Sequence, residues 1–446
     1  MRMIKKLLDA LVILAWTNVL PAGLLLKAGP AFYVLSYLLP GVLFLLININ
    51  PLWEKNGFTR LGVLLNGGAL IEIFGMVMVA DTALSIVWGL TLLTRGMAVW
   101  QYIIYIVLWM LVCAVLVLNG CIRVYTTSLQ LGIKWRVLFF LLWWMPVVNI
   151  VLLWKICRIV REEYDFEREK AALNAVRREN ACCTTRYPLL LVHGVFFRDR
   201  KLFNYWGRVP GELLRNGAVI YYGMQNSASS IENAGKELRD RVLQIVEESG
   251  CGKVNIIAHS KGGLDARYAI SRLGLGPCVA SLTTINTPHR GCAFADWLLG
   301  RTPEWLRSWI SARYDGAMKK LGDTSPDFYG AVCDLTASRC EAFNREVPDV
   351  PGVLYQSVGS KMKSWLSAPF PQNFSHLLVK HFDRENDGLV GVDSMKWGAS
   401  FQMLTAPGIR GISHGDMIDL NRQNIKGFDV REFYVGLVKE LKAKGL

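Results

Sequence analysis

Residues 254–264 read Val-Asn-Ile-Ile-Ala-His-Ser-Lys-Gly-Gly-Leu, and this stretch decides the fold. Its mostly apolar, β-prone residues end at Ala258, and Gly262 and Gly263 open a predicted helix. A serine on a sharp strand-to-helix turn needs small residues two positions before and after it, because a bulky side chain would clash where the backbone reverses. The stretch therefore predicts that Ser260 is presented at the tip of such a turn, as a candidate nucleophile.

A second motif lies earlier in the chain, where Tyr187–Val195 reads as a buried strand ending in His-Gly. In an α/β-hydrolase the nucleophile turn is completed by two backbone N–H donors, which hold the oxyanion of a tetrahedral intermediate. One donor directly follows the nucleophile, and the other lies in the loop after an early strand. By these positions we predict an oxyanion hole formed by the N–H groups of Val195 and Lys261.

Strand-like and helix-like segments alternate on both sides of the serine turn. A short β-like run at Ala218–Tyr222 precedes a helical pattern from about Ile231 to Glu248, and another strand follows at Val279–Ile285. This alternation is typical of a parallel sheet covered by helices. The chain from 185 to 446 is therefore predicted to be an α/β hydrolase, with a mostly parallel sheet flanked by helices.

Residues 295–345 are predicted to be an insertion that precedes a strand at Gly352–Val358. Its apolar face is formed by side chains at amphipathic spacing: Trp305, Leu306, Trp309 and Ile310. Such spacing fits a lid over an acyl-binding groove and the core of a cap domain equally well. Both interpretations stay open.

A serine hydroxyl becomes a good nucleophile only when a histidine removes its proton and a carboxylate orients that histidine. In this fold the chain order is serine, acid, histidine. Three of the six histidines lie late enough in the chain: His376, His381 and His414. The acids in the same region are Asp383, Glu385, Asp387 and Asp393.

Several motifs occur in order between residues 185 and 425. They are Tyr-Pro-x-x-Leu-Val-His-Gly from Tyr187, Tyr205-Trp206, Lys253-Val254-Asn255, His-Ser-x-Gly-Gly from His259, Thr-Pro-His-Arg-Gly from Thr287 and Asn-Asp-Gly-Leu-Val from Asn386. Together they resemble the bacterial true lipases of the Pseudomonas/Burkholderia type. The Ala-His-Ser variant followed by Gly-Leu-x-x-Arg-Tyr is similar to Bacillus lipases. The resemblance does not reach the first 154 residues of the chain.

The resemblance implies that Asp387, in the motif Asn386–Val390, is the acid. His376 and His381 precede that acid, which leaves His414 as the base and gives the triad Ser260, Asp387 and His414. The implied activity is that of a lipase or carboxylesterase acting on a lipid or other acyl ester. An acyltransferase or thioesterase acting on membrane lipids is one alternative, because fold analogy does not separate reactions that use the same triad.

A catalytically silent hydrolase-like domain on a membrane scaffold is a second alternative. The complete set of catalytic residues counts against it.

The resemblance also raises the question of a calcium ion bracing the histidine loop. Asp416 stands two residues after His414, where the family often has a ligand. The glutamine expected four residues later is Leu420, and no acidic residue lies between Gly352 and Phe382. Because calcium takes six to eight oxygen ligands, we predict no cofactor, with Asp416 as a weak calcium candidate.

The first 154 residues differ in composition from the rest. The whole chain is 52% hydrophobic, with a mean hydropathy of +0.27, and these 154 residues hold only ten Lys/Arg and four Asp/Glu. Its apolar segments are Leu7–Leu26, Ala31–Ile49, Leu61–Ala80 with a continuation at Thr82–Thr94, Met97–Gly120 and Val137–Trp154. About 20 apolar residues cross a bilayer core. We therefore predict an all-α transmembrane region over 1–154, with four or five apolar segments, and a charged linker helix over 155–184.

The side of the membrane on which the hydrolase lies is left open by the charges. Lys/Arg clusters, which favour the cytoplasm, flank the run 137–154 at both ends. Either this run crosses and the hydrolase faces outward, or it dips in without crossing and the hydrolase is cytoplasmic, which charge slightly favours. A multi-pass protein of the cell membrane is expected. No basic cluster is interleaved with aromatic residues, so no nucleic-acid partner is predicted.

Glu72 lies inside the third apolar run. It is either a transport or proton site or a carboxyl that faces another helix.

Overall fold

The computed structural model of the protein describes residues 1–94, 98–177, 180–195, 204–320, 323, 326–370 and 372–446. Two compact units make up the chain, Met1–Ala172 and Leu173–Leu446, and they divide inside the predicted linker. Met97, where the fourth apolar run was predicted to begin, lies outside the described residues. So do 178–179 of the linker and 321–322 and 324–325 of the predicted insertion.

The N-terminal unit is built from helices: α1 (Arg2–Thr17), α2 (Val19–Leu25), α3 (Pro30–Ile49), α4 (Arg60–Thr94), α5 (Val99–Thr127), α6 (Ile133–Leu142) and α7 (Pro146–Arg177). The last residues of α7 lie beyond Ala172, the end of this unit. Among the described residues, α3, α4 and α5 are long and apolar enough to cross a membrane. Helices α1 and α2 are bent by 53° and would make a fourth span if they count as one.

Two polar residues explain how the first and third apolar runs differ from their predicted outlines. The run Leu7–Leu26 breaks at Asn18, whose side chain donates a 2.7 Å hydrogen bond to Asp81 Oδ1. Asp81 is fully buried inside α4 and also accepts a hydrogen bond from Thr17. Because its carboxyl group is hydrogen-bonded within the bundle, Asp81 does not end the helix, and α4 continues for 35 residues.

The fifth apolar run is interrupted. Helix α6 ends at Leu142, and α7 begins at Pro146 and continues to Arg177. The apolar end of the run and the charged linker thus form one helix. Neither α6 nor α7 meets the length and composition of a membrane span among the described residues.

Glu72 lies between two cations of the N-terminal unit. Its carboxylate oxygens accept from Lys6 Nζ and, at 3.0 Å, from Arg161 Nη2. The partners come from α1 and α7, so this carboxyl faces other helices.

The C-terminal unit contains a six-stranded sheet in the order β2-β1-β3-β4-β5-β6, with every neighbouring pair parallel. Its strands are β1 (Leu189–Val192), β2 (Ile220–Tyr222), β3 (Val254–His259), β4 (Val279–Ile285), β5 (Leu354–Ser360) and β6 (Ser400–Leu404). Strands β1, β3 and β4 are buried along their whole length, as expected for a parallel sheet covered on both faces. This is the predicted α/β-hydrolase fold.

Helices cover the sheet on two sides. They are α8 (Val209–Arg215), α9 (Ile231–Ser249), α10 (Gly262–Arg272), α11 (Ala293–Arg301), α12 (Glu304–Lys320), α13 (Phe328–Cys333), α14 (Ala337–Glu346), α15 (Gln372–Val379) and α16 (Val430–Ala443). Alternate residues of β1 point into different cores. Leu190 packs with α9 and α10, whereas Leu191 packs with α8 and α16.

The predicted insertion at 295–345 corresponds to the helical region α11–α14. It follows the end of β4 and precedes β5. Trp305 and Trp309 on α12 are exposed.

Candidate active site

Ser260 occupies a tight turn between β3 and α10. Its φ is +56°, a left-handed conformation that costs free energy for any residue other than glycine and occurs where the surrounding structure enforces it. The turn is held because Ser260 N–H donates to Ile285 O of β4 at 2.9 Å, and Ser260 O accepts from Thr287 Oγ1 at 2.8 Å. The side chain is partly exposed.

Glycines allow the turn to approach the neighbouring strands. A Cβ on Gly262 would lie 2.4 Å from His193 O, and one on Gly263 would lie 2.3 Å from Thr287 Oγ1. On the opposite side, a Cβ on Gly194 would lie 2.8 Å from the Cβ of Ser260. The small residues noted in the sequence are therefore required by close packing around the serine.

Asp387 and His414 lie in direct contact. His414 Nδ1 is 2.6 Å from Asp387 Oδ2, and the His414 backbone N–H donates to Asp387 O at 2.9 Å. Asp387 is fully buried, and 6% of His414 is exposed. The two loops that carry these residues are thus joined through both backbone and side chain.

The remaining lone pairs of the Asp387 carboxylate are also used. Its Oδ1 accepts from the backbone N–H groups of Leu389 (2.9 Å) and Val390 (2.8 Å). Its Oδ2 accepts from Asn286 Nδ2 at 2.6 Å, and the same nitrogen contacts Ser360 Oγ at 2.7 Å. Hydrogen bonds of this kind fix the orientation of the carboxylate.

Asn286 was not identified from the sequence. It follows β4 directly, at a position with φ of +48°, and parallel strands end at the same edge of a sheet. Its place immediately after a strand was the one feature that could have drawn attention to it.

His414 lies beside the serine turn. The centroid of its ring is 4.5 Å from that of His259, the residue preceding Ser260. Burial, and then the neighbouring His414, lowers the pKa of His259 well below its usual range. His259 is therefore neutral, and its Nδ1 lies 2.7 Å from the hydroxyl of Tyr205. The Tyr205 hydroxyl also accepts from the Gly194 N–H at 3.0 Å, which links the serine turn to the loop after β1.

The two predicted oxyanion donors flank the serine turn. Val195 lies in the loop after β1, and Lys261 directly follows Ser260. Neither backbone N–H donates to another described residue; the chain immediately after Val195 is outside the description. The Lys261 side chain turns inward, and its Nζ lies 2.5 Å from Asp265 Oδ1 on α10. Burial raises the pKa of Asp265 to about 7.

Asp416 is held by an arginine. Arg410 Nη2 donates to Asp416 Oδ1 at 3.0 Å, and the other carboxylate oxygen accepts from the Ser413 N–H at 2.9 Å. Burial raises the pKa of Asp416, and Arg410 opposes that shift. Among the described residues, no three His, Cys, Asp or Glu side chains could hold a metal ion. A guanidinium bound to Asp416, with Leu420 beside the loop, does not fit a calcium site.

The other candidate residues lie away from the Asp387–His414 pair or serve it indirectly. His381 is exposed, whereas Glu385 is paired with Lys361 and Asp393 with Lys396. His376 is different. It is buried, and its Nδ1 lies 2.8 Å from Asn386 Oδ1, next to the acid.

Comparison with known proteins identifies the family. The model described as "Putative serine esterase (DUF676)" matches residues 212–324, which include Ser260. A triacylglycerol lipase of Vibrio cholerae is 32% identical over 239 residues, which cover 48% of this chain and 75% of that protein. The chain belongs to the triacylglycerol lipase family.

Other relatives of this lipase-family chain match over shorter lengths. A triacylglycerol lipase of Burkholderia plantarii is 34% identical over 191 residues, which are 40% of this chain and 52% of the relative. A triacylglycerol lipase of Pseudarthrobacter phenanthrenivorans is 34% identical over 177 residues, which are 37% of this chain and 54% of the relative. The chain thus spans about half the length of these two relatives.

Solved structures also resemble this family member. The crystal structure of the Staphylococcus hyicus lipase has a TM-score of 0.46 and 19% identity, with 58% of this chain and 97% of that chain covered. The mature Bacillus licheniformis lipase BlEst2 has a TM-score of 0.42 and 19% identity, with 56% and 91% covered.

Proposed function

We propose that the protein is a membrane-anchored serine hydrolase, a lipase or carboxylesterase that cleaves acyl esters through Ser260, His414 and Asp387. The observation that carries the proposal is the 2.6 Å contact of Asp387 Oδ2 with His414 Nδ1, beside a serine turn with φ of +56°. A carboxylate, a histidine and a strained serine in one place are what acyl transfer to a hydroxyl requires.

The residues would share the reaction as follows. Ser260 Oγ attacks the ester carbonyl, and its proton passes to His414 Nε2. Asp387 accepts from Nδ1–H of His414 and stabilises the imidazolium. The developing oxyanion accepts from the N–H groups of Val195 and Lys261. His414 then protonates the leaving alcohol, and an activated water hydrolyses the acyl-enzyme.

Asn286 would set the orientation of the acid. Its Nδ2 donates to the Asp387 oxygen that also faces His414. With the N–H groups of Leu389 and Val390 on the other oxygen, the carboxylate has one orientation. A fixed carboxylate selects the histidine tautomer that leaves Nε2 free to accept a proton.

No metal ion is part of this proposal. The loop of His414 is braced by Arg410, which binds Asp416 and is also 3.0 Å from Ser367 O and 3.2 Å from Gln423 Oε1. An internal cation is thus paired with the one carboxylate of this loop that was a candidate metal ligand.

The substrate would be a lipid or another acyl ester reached from a bilayer. Three helices of the N-terminal unit that could span a membrane support the anchoring. Anchoring would raise the local concentration of membrane-borne substrate without changing the chemistry.

Turnover of esters with graded acyl length by the full chain tests this function, with Ser260→Ala as the blank. We expect release of free fatty acid that depends on Ser260. Transfer of the acyl group to an added alcohol in place of water would instead identify an acyltransferase, and no turnover of any ester would contradict both.

A further inference from the structure

A group of large apolar side chains is exposed next to the acid loop. Four neighbouring elements supply them: the 3₁₀ turn Trp365–Ser367, the residues after that turn, helix α15 and the loop before Arg410. The six side chains are Trp365, Leu366, Phe370, Phe374, Leu377 and Ile409. Phe370 is 80% exposed and Ile409 74%. The 3₁₀ turn packs against α15, and Ser364 Oγ donates to Ile409 O, so these elements adjoin. We call these six residues the apolar surface. A contiguous apolar patch of this kind marks a binding surface.

The segment that carries most of the apolar surface is basic. Residues 353–382 contain three lysines and no Asp or Glu. Lys363 and Lys380 are exposed, and neither pairs with a carboxylate of a described residue. The hydrogen bonds of Lys363 Nζ go instead to the backbone oxygens of Ala406 and Gly408. Aromatic and aliphatic side chains bordered by lysines that pair with no described carboxylate match an anionic lipid surface, which takes up the apolar groups and attracts the cations.

Helix α15 is bonded to both chain neighbours of Asp387. Ser375 Oγ donates to Gly388 O at 2.5 Å, and His376 Nδ1 lies 2.8 Å from Asn386 Oδ1. The same Asn386 oxygen accepts from the Gly388 N–H at 2.9 Å. Outward-facing Phe374 and Leu377 are therefore on the helix that holds the acid loop.

The 3₁₀ turn has a corresponding bond to the histidine loop. Arg410 Nε donates to Ser367 O, and its Nη2 donates to Asp416, two residues after His414. Trp365 and Leu366 lie in the same turn as Ser367. Each half of the apolar surface is thus one or two hydrogen bonds from a triad loop.

We propose that the apolar surface, with Lys363 and Lys380, docks on an anionic lipid surface and that docking holds the loops of Asp387 and His414 in their catalytic arrangement. This inference rests on the proposed function only where ester turnover is measured. Docking would act on the triad loops through few contacts. A bilayer that orders α15 and the 3₁₀ turn also orders the acid loop and Arg410, which are hydrogen-bonded to these elements.

Docking is tested on the full chain in vesicles of phosphatidylcholine alone or with phosphatidylglycerol. We compare wild type, Phe370→Ser/Phe374→Ser, and Leu243→Ser as a matched control, because Leu243 is exposed on α9. Hydrogen exchange of peptides from 361–380, and cross-linking to a phosphatidylglycerol that carries a photoreactive acyl chain, are read by mass spectrometry. Neither readout needs catalysis.

The expected result is slower exchange and cross-links on the apolar surface, both stronger with phosphatidylglycerol and both lost in Phe370→Ser/Phe374→Ser but not in Leu243→Ser. Lys363→Gln/Lys380→Gln should remove the dependence on phosphatidylglycerol. Equal exchange in all vesicles, or loss of protection in Leu243→Ser as well, would overturn the proposal. A change in the oligomeric state of Phe370→Ser/Phe374→Ser with unchanged lipid contact would also overturn the proposal, because it would indicate that the apolar surface binds a protein.

Turnover separates this inference from the proposed function. Phe370→Ser/Phe374→Ser should lower the rate on an ester embedded in anionic vesicles by on the order of tenfold, with the rate on a short soluble ester unchanged. His376→Ala should raise the exchange of the acid loop and lower kcat on both substrates. If wild type hydrolyses neither ester but shows lipid-dependent protection, the proposed function fails and the docking stands. If the double variant loses both rates equally, the docking fails.

Discussion

Asn286 and His414 share one oxygen of Asp387. Asn286 Nδ2 lies 2.6 Å from Asp387 Oδ2, and His414 Nδ1 lies 2.6 Å from the same atom. The carboxylate is fully buried, so its position depends on these groups and on the two backbone donors at its other oxygen.

Replacing Asn286 by alanine should lower kcat with little change in KM. A hydrogen bond to a charged group is worth about 1.5–3 kcal/mol, so a decrease of about ten- to a hundredfold is expected. Kinetics on a soluble ester check this. Asn255→Ala is the control, because Asn255 is also a buried amide but bonds Tyr187 O and Ser281 at the start of β3. Equal kcat in wild type and Asn286→Ala would remove Asn286 from the account.

Arg410 should make the histidine loop independent of calcium. EDTA is expected to leave the activity and the temperature of half-inactivation unchanged in the wild type. Arg410→Gln should lower the activity and the temperature of half-inactivation, because it leaves the buried Asp416 carboxylate without its cation. The expected loss in the free energy of unfolding is about 1–3 kcal/mol. Arg410→Lys should have an activity and a half-inactivation temperature between those of the wild type and Arg410→Gln. A calcium-restored loss of activity after EDTA treatment of the wild type would contradict this prediction.

His289 should make the protein less stable in acid. Burial, and then Arg267, lowers its pKa well below 6.5, so the folded protein keeps it neutral while the unfolded chain binds a proton. Stability is therefore lost as the pH falls below about 6.5, by about 1.4 kcal/mol per pH unit for one site. His289→Gln should flatten the decrease in half-inactivation temperature between pH 6.5 and 5. In the control His381→Gln, at an exposed position, the half-inactivation temperature should fall with pH as it does in the wild type. An equally steep fall in His289→Gln would show that His289 is not the source of the acid sensitivity.

The sequence predicted the parts of the fold that are buried on both faces. Strands β1, β3 and β4 consist mostly of apolar or β-branched residues, and the turn at Ser260 is marked by its small residues. Strand β6 was missed because its residues, Ser400–Leu404, are only partly buried or exposed at the edge of the sheet. The other edge strand, β2, was predicted from an uninterrupted run, whereas Ser400 and Gln402 interrupt the apolar residues of β6.

The contacts that hold the site were harder to predict than the residues that would react. Asn286 and Arg410 act through partners 101 and 6 positions away, and no spacing rule connects such pairs. His376 was set aside by its order in the chain, although it lies against the acid loop. In the N-terminal unit, Asp81 interrupts an apolar run in the sequence, but its partners Thr17 and Asn18 lie on another segment. The sequence therefore did not predict one continuous α4.

Removal of residues 1–184 should leave a folded protein that hydrolyses short soluble esters. The sheet, all residues of the proposed site and both of its cores, apart from Cys182 and Cys183, lie beyond that point. Activity on long-chain lipid in bilayers should fall much more than activity on soluble esters, because anchoring raises local concentration. Circular dichroism and the two rates check this. A folded product with no esterase activity would mean that the N-terminal unit contributes to the site.

Reaction of the intact protein with a fluorophosphonate, followed by peptide mass spectrometry, tests the central claim most directly. We expect one modified peptide, with the phosphonyl group on Ser260, and none in Ser260→Ala. His414→Ala and Asp387→Asn should label more slowly, by on the order of a thousandfold, whereas the exposed His381→Ala should label as the wild type does. Modification of a different residue, or undiminished labelling of Ser260→Ala, would contradict the proposed site.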